Sequence, residues 1–283
     1  MQLSSGRKII YTVLLVLFLQ TTGCTYLFFQ PKKEHVDNPV AKLFLPEDVF
    51  FKTPDGLMLH GWFFEARDNR GSILVLHGNA ENLSTHVNSV IWLVQEGYNV
   101  FIFDYRGYGR SEGKPTVRGV HVDAEAALET LLTLPGVDKE RIVVLGQSIG
   151  GAVAVYLVAN SPSKQDVKAL IIDSAFSSYH SIAREKLNLC CITWPIQYPL
   201  SFLVSDTYSP VKWIKDVSPV PVLIIHGEAD RVVPMHHGRI LYDAALQPKE
   251  FWETAAPGHT RAFADAAVRK KLVTYLSARF QAR

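Results

Sequence analysis

Three side chains far apart in this sequence could together cleave an acyl bond: Ser148, Asp230 and His259. A serine hydroxyl is a weak nucleophile until an imidazole takes its proton. The imidazole in turn needs a carboxylate to hold its tautomer and to stabilise the imidazolium that forms. Ser148 is the centre of Gly146-Gln147-Ser148-Ile149-Gly150, between the apolar run Ile142–Leu145 and the small-residue helical pattern Ile149–Asn160. A strand turning sharply into a helix exposes the hydroxyl, and the residues two before and two after crowd one another, which is why both are glycine. Asp230 ends the segment His226-Gly227-Glu228-Ala229-Asp230, just beyond the run Val220–Ile225. A carboxylate past a strand end can reach the edge of the sheet that carries Ser148. His259 stands in Pro257-Gly258-His259, a glycine-flanked loop before the last helix, where it can turn toward the serine as general base. Asp230 is the preferred acid. Glu228 and Asp173 are its rivals at strand ends, and a purely structural ion pair with Arg231 is the non-catalytic alternative.

A tetrahedral intermediate needs two donors for its oxyanion. One is the backbone N–H of Ile149, at the start of the helix after the nucleophile. The other is the backbone N–H of Asn79 in His77-Gly78-Asn79-Ala80, directly after the run Ser72–Leu76. His77 is read as bracing that loop by hydrogen bonding. His236 and His237 are adjacent on a helix and therefore point apart, so they are read as solvated rather than as metal ligands. Of the three cysteines, Cys190 and Cys191 are neighbours and read as free thiols. No disulfide framework, metal or organic cofactor is expected.

These residues need elements to hold them. Short, almost continuously apolar runs at Ser72–Leu76, Val100–Phe103, Ile142–Leu145, Ala169–Ile172 and Val220–Ile225 suit strands buried on both faces. Helical stretches alternate with them, near Leu83–Gln95, Val117–Leu134, Ile149–Asn160, Met235–Leu246 and Arg261–Phe280. That alternation predicts an α/β fold with a mostly parallel, doubly wound sheet. Pro54-Asp55-Gly56 predicts an antiparallel hairpin ahead of it. From Phe176 to Trp213 the rhythm breaks, and this stretch is read as a small helical insertion over the C-terminal edge of the sheet.

Nearly half of the residues are apolar, which suits a chain with a sizeable core. The formal net charge of +2 comes without a basic stripe, which argues against nucleic acid as a partner. The N-terminus carries Arg7 and Lys8, the apolar run Ile9–Leu19 and then Gln20-Thr21-Thr22-Gly23-Cys24. This resembles a bacterial lipoprotein signal over residues 1–23 with lipidation at Cys24, although Thr21 stands where such signals usually have Leu. The alternative is an uncleaved anchor, because Ile9 to Phe29 is long enough to span a bilayer. Both readings place the protein at a membrane. Residues 24–46 read as a tether and the folded domain as 47–283.

The stretch Phe103-Asp104-Tyr105-Arg106-Gly107-Tyr108-Gly109-Arg110-Ser111-Glu112-Gly113, together with Leu76-His77-Gly78-Asn79-Ala80-Glu81-Asn82, resembles the α/β hydrolases. Within that superfamily it is similar to the branch that includes membrane-tethered protein depalmitoylases and, more loosely, to the serine aminopeptidase group. The chain order Ser, Asp, His is that of this fold. The resemblance implies Ser148, Asp230 and His259 as triad, and a small-molecule or acylated ester or thioester as substrate. A peptidase, or a catalytically silent binding protein, is the alternative. Arg106 and Glu112 are expected to lock their loop, and Leu187–Pro195 is apolar enough to line an acyl pocket or to graze a bilayer, with core as the preferred reading.

Overall fold

The computed structural model describes residues 28–189 and 193–281. The signal or anchor, Cys24, Cys190 and Cys191 lie outside the described residues. Eight strands form one sheet: β1 (Glu47–Lys52), β2 (Met58–Phe64), β3 (Ser72–Leu76), β4 (Asn99–Asp104), β5 (Ile142–Gln147), β6 (Val167–Asp173), β7 (Val222–Gly227) and β8 (Lys249–Thr254). Their order is β8-β7-β6-β5-β3-β4-β2-β1. Pairs β1–β2 and β2–β4 are antiparallel and all the others are parallel. Every residue of β3, β4, β5 and β7 is buried, as strands covered on both faces require. At the sheet edge, β1 alternates, burying Val49 and Phe51 and exposing Phe50 and Lys52.

Five longer helices flank the sheet: α1 (Val117–Leu131), α2 (Ile149–Asn160), α3 (Tyr179–Asn188), α4 (His236–Ala244) and α5 (Ala266–Gln281). Alternation along β3 divides the core in two. Leu74 and Leu76 join the side packed by α1 and α2, and Ile73 and Val75 join the side packed by Leu272 and Leu276 of α5. Between β6 and β7 the insertion is helical, with α3 followed by the short turns Trp194–Ile196, Gln197–Ser201 and Pro210–Trp213.

Three expectations are corrected here. The helix expected over Leu83–Gln95 is broken into Leu83–His86, a 3-10 turn Val87–Ser89, and Trp92–Gln95. Side chains take the carbonyls that a continuous helix would use: Ser89 Oγ donates to His86 O (2.8 Å) and Trp92 Nε1 donates to Ser89 O (2.9 Å).

The second correction concerns the tether, which over its described part is strapped to the domain. Phe28 and Phe29 are buried, and Gln30–Pro31 pairs in parallel with Ala80–Glu81. Asn82 Nδ2 donates to the carbonyls of Lys32 (3.0 Å) and Glu34 (2.7 Å), and His35 Nε2 lies 2.8 Å from Asp104 Oδ2. The proline- and charge-rich composition reads as linker because every one of these partners is distant in sequence.

Third, Leu189 and Trp194, in the segment Leu187–Pro195 for which core is the preferred reading, are exposed.

The loop after β4 is locked as expected. Arg106 Nε and Nη2 donate to Asp123 Oδ1 (2.9 and 2.7 Å), its backbone N–H donates to Asp123 Oδ2 (2.8 Å), and Nη1 reaches Asp55 (2.8 Å). Glu112 accepts from the Met58 N–H (2.8 Å). Asp123 is fully buried on α1, so Asp123→Ala strands a nearly buried guanidinium. The expected cost is about 3 kcal/mol of unfolding free energy, measured by urea denaturation. A loss within experimental error would mean that Asp55 alone holds the loop.

Candidate active site

The turn between β5 and α2 is built around one strained residue. Ser148 has φ +56° and ψ −122°, a conformation that L residues avoid. It is held from both sides: its N–H donates to Asp173 O at the end of β6 (2.8 Å), and its carbonyl accepts from Gly151 N–H (3.0 Å). The two flanking glycines are required by close backbone contact. A Cβ at Gly146 would lie 2.4 Å from Gly150 O, and one at Gly150 would lie 2.1 Å from Leu76 O and 2.6 Å from His77 O. Those carbonyls end β3 and begin the Asn79 loop, and they cannot move aside as a flexible side chain would. Gly150→Ala is therefore expected to lower stability by about 3 kcal/mol, read from the denaturant midpoint. Wild-type stability in that variant would mean that the β3 end yields freely.

Asp230 and His259 meet as the spacing predicts. His259 Nδ1 lies 2.7 Å from Asp230 Oδ2, while Asp230 Oδ1 accepts from the N–H groups of Val232 (2.8 Å) and Val233 (2.9 Å). Burial works to raise the Asp230 carboxyl, but His259 and the two backbone donors outweigh it and hold it below its ordinary value. The rival acids stand elsewhere. Glu228 is exposed. Asp173 is fully buried and tied to Gln147 Nε2 (2.9 Å) and Ser174 Oγ (3.0 Å), with its carboxyl raised by burial. Asp230 turns to His259 rather than to Arg231. The end of β6 links the two halves of the site: Asp173 O holds the Ser148 N–H, and Ser174 Oγ accepts from the N–H of Thr260, next to His259 (3.4 Å). His259, Thr260, Gln147, His86 and Ser89 line one cleft there.

The Asn79 loop passes beside the serine, since a Cβ on Gly78 would lie 3.8 Å from Ser148 Cβ. His77 braces it: Nδ1 donates to Gly78 O (2.7 Å). In a trans peptide the N–H lies opposite the carbonyl, so this bond turns the Asn79 N–H away from His77. The Asn79 carbonyl is fixed in turn by the Gln30 N–H (2.9 Å) and by Tyr108 Oη. Ile149 N–H belongs to the first turn of α2, where backbone donors have no partner within the helix.

Several residues at this edge carry no local signal in the sequence. Gln147 bridges Asp173 to Ser89 Oγ (2.8 Å). His236 is exposed as expected, whereas His237, also expected to be solvated, is fully buried; both reach Glu185 of α3, with Nε2 contacts of 3.1 and 3.2 Å. They stand at the start of α4 with their rings stacked, so adjacency does not part them. Glu185, His236 and His237 lie close enough to hold a metal ion. However, the Ser177 N–H donates into His237 Nδ1 (3.2 Å), which places the ring proton on Nε2, the atom facing Glu185. The cluster is thus a clasp between the insertion and α4.

An antiparallel first pair leading into a parallel sheet, with a strained serine at the turn after β5, is the arrangement of the α/β hydrolases. The chain belongs to that superfamily. The family described as serine aminopeptidase, S33, matches residues 67–195. The chain is 34% identical over 284 residues to the uncharacterized protein YfhR of Escherichia coli (strain K12), covering 95% of each. It is 35% identical over 223 residues to the alpha/beta hydrolase domain-containing protein WAV2 of Arabidopsis thaliana, covering 75% of this chain and 71% of that protein. Among solved structures, the Pyrococcus furiosus esterase Pf2001 matches with a TM-score of 0.71 at 22% identity, over 90% of this chain and 97% of that one. At that identity it is the fold that is shared.

Proposed function

We propose that the protein is a serine hydrolase that cleaves the ester or thioester of an acyl chain through an acyl-enzyme on Ser148. The observation that carries this reading is the His259–Asp230 contact of 2.7 Å, with the second carboxylate oxygen held by two backbone donors, at the sheet edge that bears Ser148. With Nδ1–H given to Asp230, the His259 Nε2 lone pair is free to take the Ser148 hydroxyl proton as Oγ attacks the acyl carbon. The N–H groups of Ile149 and Asn79 then receive the oxyanion, each worth on the order of 10²-fold in rate. Collapse of the intermediate expels an alcohol or thiol, which takes its proton from His259. Water, deprotonated by the same ring, hydrolyses the acyl-enzyme and regenerates Ser148. We also propose that the N-terminus holds the protein at a membrane, by lipid on Cys24 or by an uncleaved span, on the strength of Arg7, Lys8 and the run Ile9–Leu19. The mass of the mature N-terminus distinguishes the two.

The test is hydrolysis of p-nitrophenyl esters from acetate to palmitate by the full chain, with labelling by a fluorophosphonate. The expected result is turnover and a label on Ser148, both lost in His259→Ala. Turnover of aminoacyl p-nitroanilides with none of any ester would establish the peptidase reading instead. No turnover and no label would establish a silent binding protein.

A further inference from the structure

The insertion exposes large apolar side chains that a water-facing surface does not need. Leu189 is 79% exposed, Trp194 59%, Tyr198 59% and Phe202 71%, with Ile196 beside them at 46%. Two of them lie along α3. The Tyr198 ring lies 5.3 Å from the Arg184 guanidinium, and the Phe202 ring packs edge-on to His180 at 5.4 Å. Residues four apart on α3 thus meet Tyr198 of the Gln197–Ser201 turn and Phe202 just beyond it, and the two elements run side by side. A cluster of this kind marks an interaction surface.

What covers it follows from where the N-terminal segment joins the domain. The Phe28 ring packs against Phe176 and Tyr179 (6.3 and 5.1 Å), at the N-terminal end of α3. Two residues later Gln30 is bonded to the Asn79 carbonyl, beside the candidate oxyanion loop. No slack remains between Phe28 and the domain. A lipid on Cys24 would be four Cα steps from Phe28, a reach of at most about 14 Å. An uncleaved span would have to end before Phe28, because Phe28 and Phe29 are buried in the domain. Helix α3, with 10 residues, is about 15 Å long, so the exposed cluster lies within about one helix length of the anchor point. Tryptophan, tyrosine, phenylalanine and leucine are the side chains that enter a membrane interface readily.

We infer that the insertion rests in the lipid interface through Leu189, Trp194, Ile196, Tyr198 and Phe202, so that the Ser148 site opens at the bilayer and draws acyl substrates from it. The inference rests on the proposed membrane attachment, and its test separates the two. Full-length protein is bound to phosphatidylcholine vesicles with and without acyl-brominated phosphatidylcholine, and tryptophan emission is read after flotation. Bromolipid is expected to quench the wild type, and Trp194→Phe is expected to lose most of that quenching. Equal quenching in both, with flotation intact, would overturn the docking. Trp194 shielded from both bromolipid and aqueous acrylamide would overturn it in favour of a second copy of the chain. Failure to float would overturn the attachment itself. In a second arm, the double variant Leu189→Glu/Phe202→Glu is expected to hydrolyse soluble p-nitrophenyl acetate at the wild-type rate and a vesicle-embedded acyl ester at least about tenfold more slowly. Equal rates on both substrates would overturn the docking. Loss of acetate hydrolysis by the wild type would instead count against the serine hydrolase reading.

Discussion

Ser148→Ala is expected to lower kcat for a short p-nitrophenyl ester by about 10⁴-fold or more, while the unfolding midpoint stays within error of the wild type. The two halves of this expectation have separate physical causes. Removing Oγ removes the only atom the reading allows to bond the acyl carbon, and His259 is left as a base without a nucleophile to activate. What remains is the rate that oxyanion donors give to attack by water. Stability holds because alanine at φ +56° suffers the same backbone strain as serine, and the Ser148 N–H and C=O keep their bonds to Asp173 and Gly151. Ser148→Gly sharpens the point. Glycine occupies that region without penalty, so the glycine variant is expected to be about 1 kcal/mol more stable than the wild type and equally inactive. A rise in stability together with a loss of rate would identify the turn as strain kept for catalysis. An alanine variant with more than a tenth of the wild-type rate would remove Ser148 from the mechanism.

The candidate site was readable in the sequence because each of its parts ends a strand. A run such as Ile142–Leu145 followed by glycines fixes both the strand and the turn that closes it. Parallel pairing then brings such ends to one edge whatever lies between them. The same logic placed Asp230 and the Asn79 loop, since each follows a strand whose residues are buried on both faces. What could not be read depends on single contacts between distant residues. The binding of Lys32 and Glu34 carbonyls by Asn82 turns an apparent linker into part of the domain, and nothing in its proline-rich composition signals that. His237 looks like a surface residue until α3 places Glu185 opposite it. The exposure of Trp194 and its neighbours is likewise a property of how the insertion lies, since a short apolar run reads identically as core and as an uncovered surface.

Asp230→Asn is expected to cost about as much activity as the loss of the serine, about 10⁴-fold in kcat, with a modest loss of stability at neutral pH. The reason lies in the two N–H groups of Val232 and Val233. Both donate to Asp230 Oδ1, so the asparagine must keep its carbonyl oxygen there and turn its NH₂ toward His259. A donor facing Nδ1 forces the ring proton onto Nε2, and Nε2 then has no lone pair for the Ser148 hydroxyl. Asp230→Ala makes a useful contrast: it strands both N–H groups and should cost about 2 kcal/mol of stability as well. The pH dependence separates the variants further. The Asp230 carboxyl is held below its ordinary value in the fold, so its ionised form contributes stability that is fully present above the unfolded carboxylate value of about 3.9 and is lost as pH falls through the folded value. The wild type should therefore lose its stability advantage over Asp230→Asn in that acidic window, as denaturant midpoints taken from pH 7 downward would reveal. An asparagine variant retaining a tenth or more of wild-type kcat at neutral pH would mean that the carboxylate anchors the Asp230–Val233 turn and takes no part in setting the His259 tautomer.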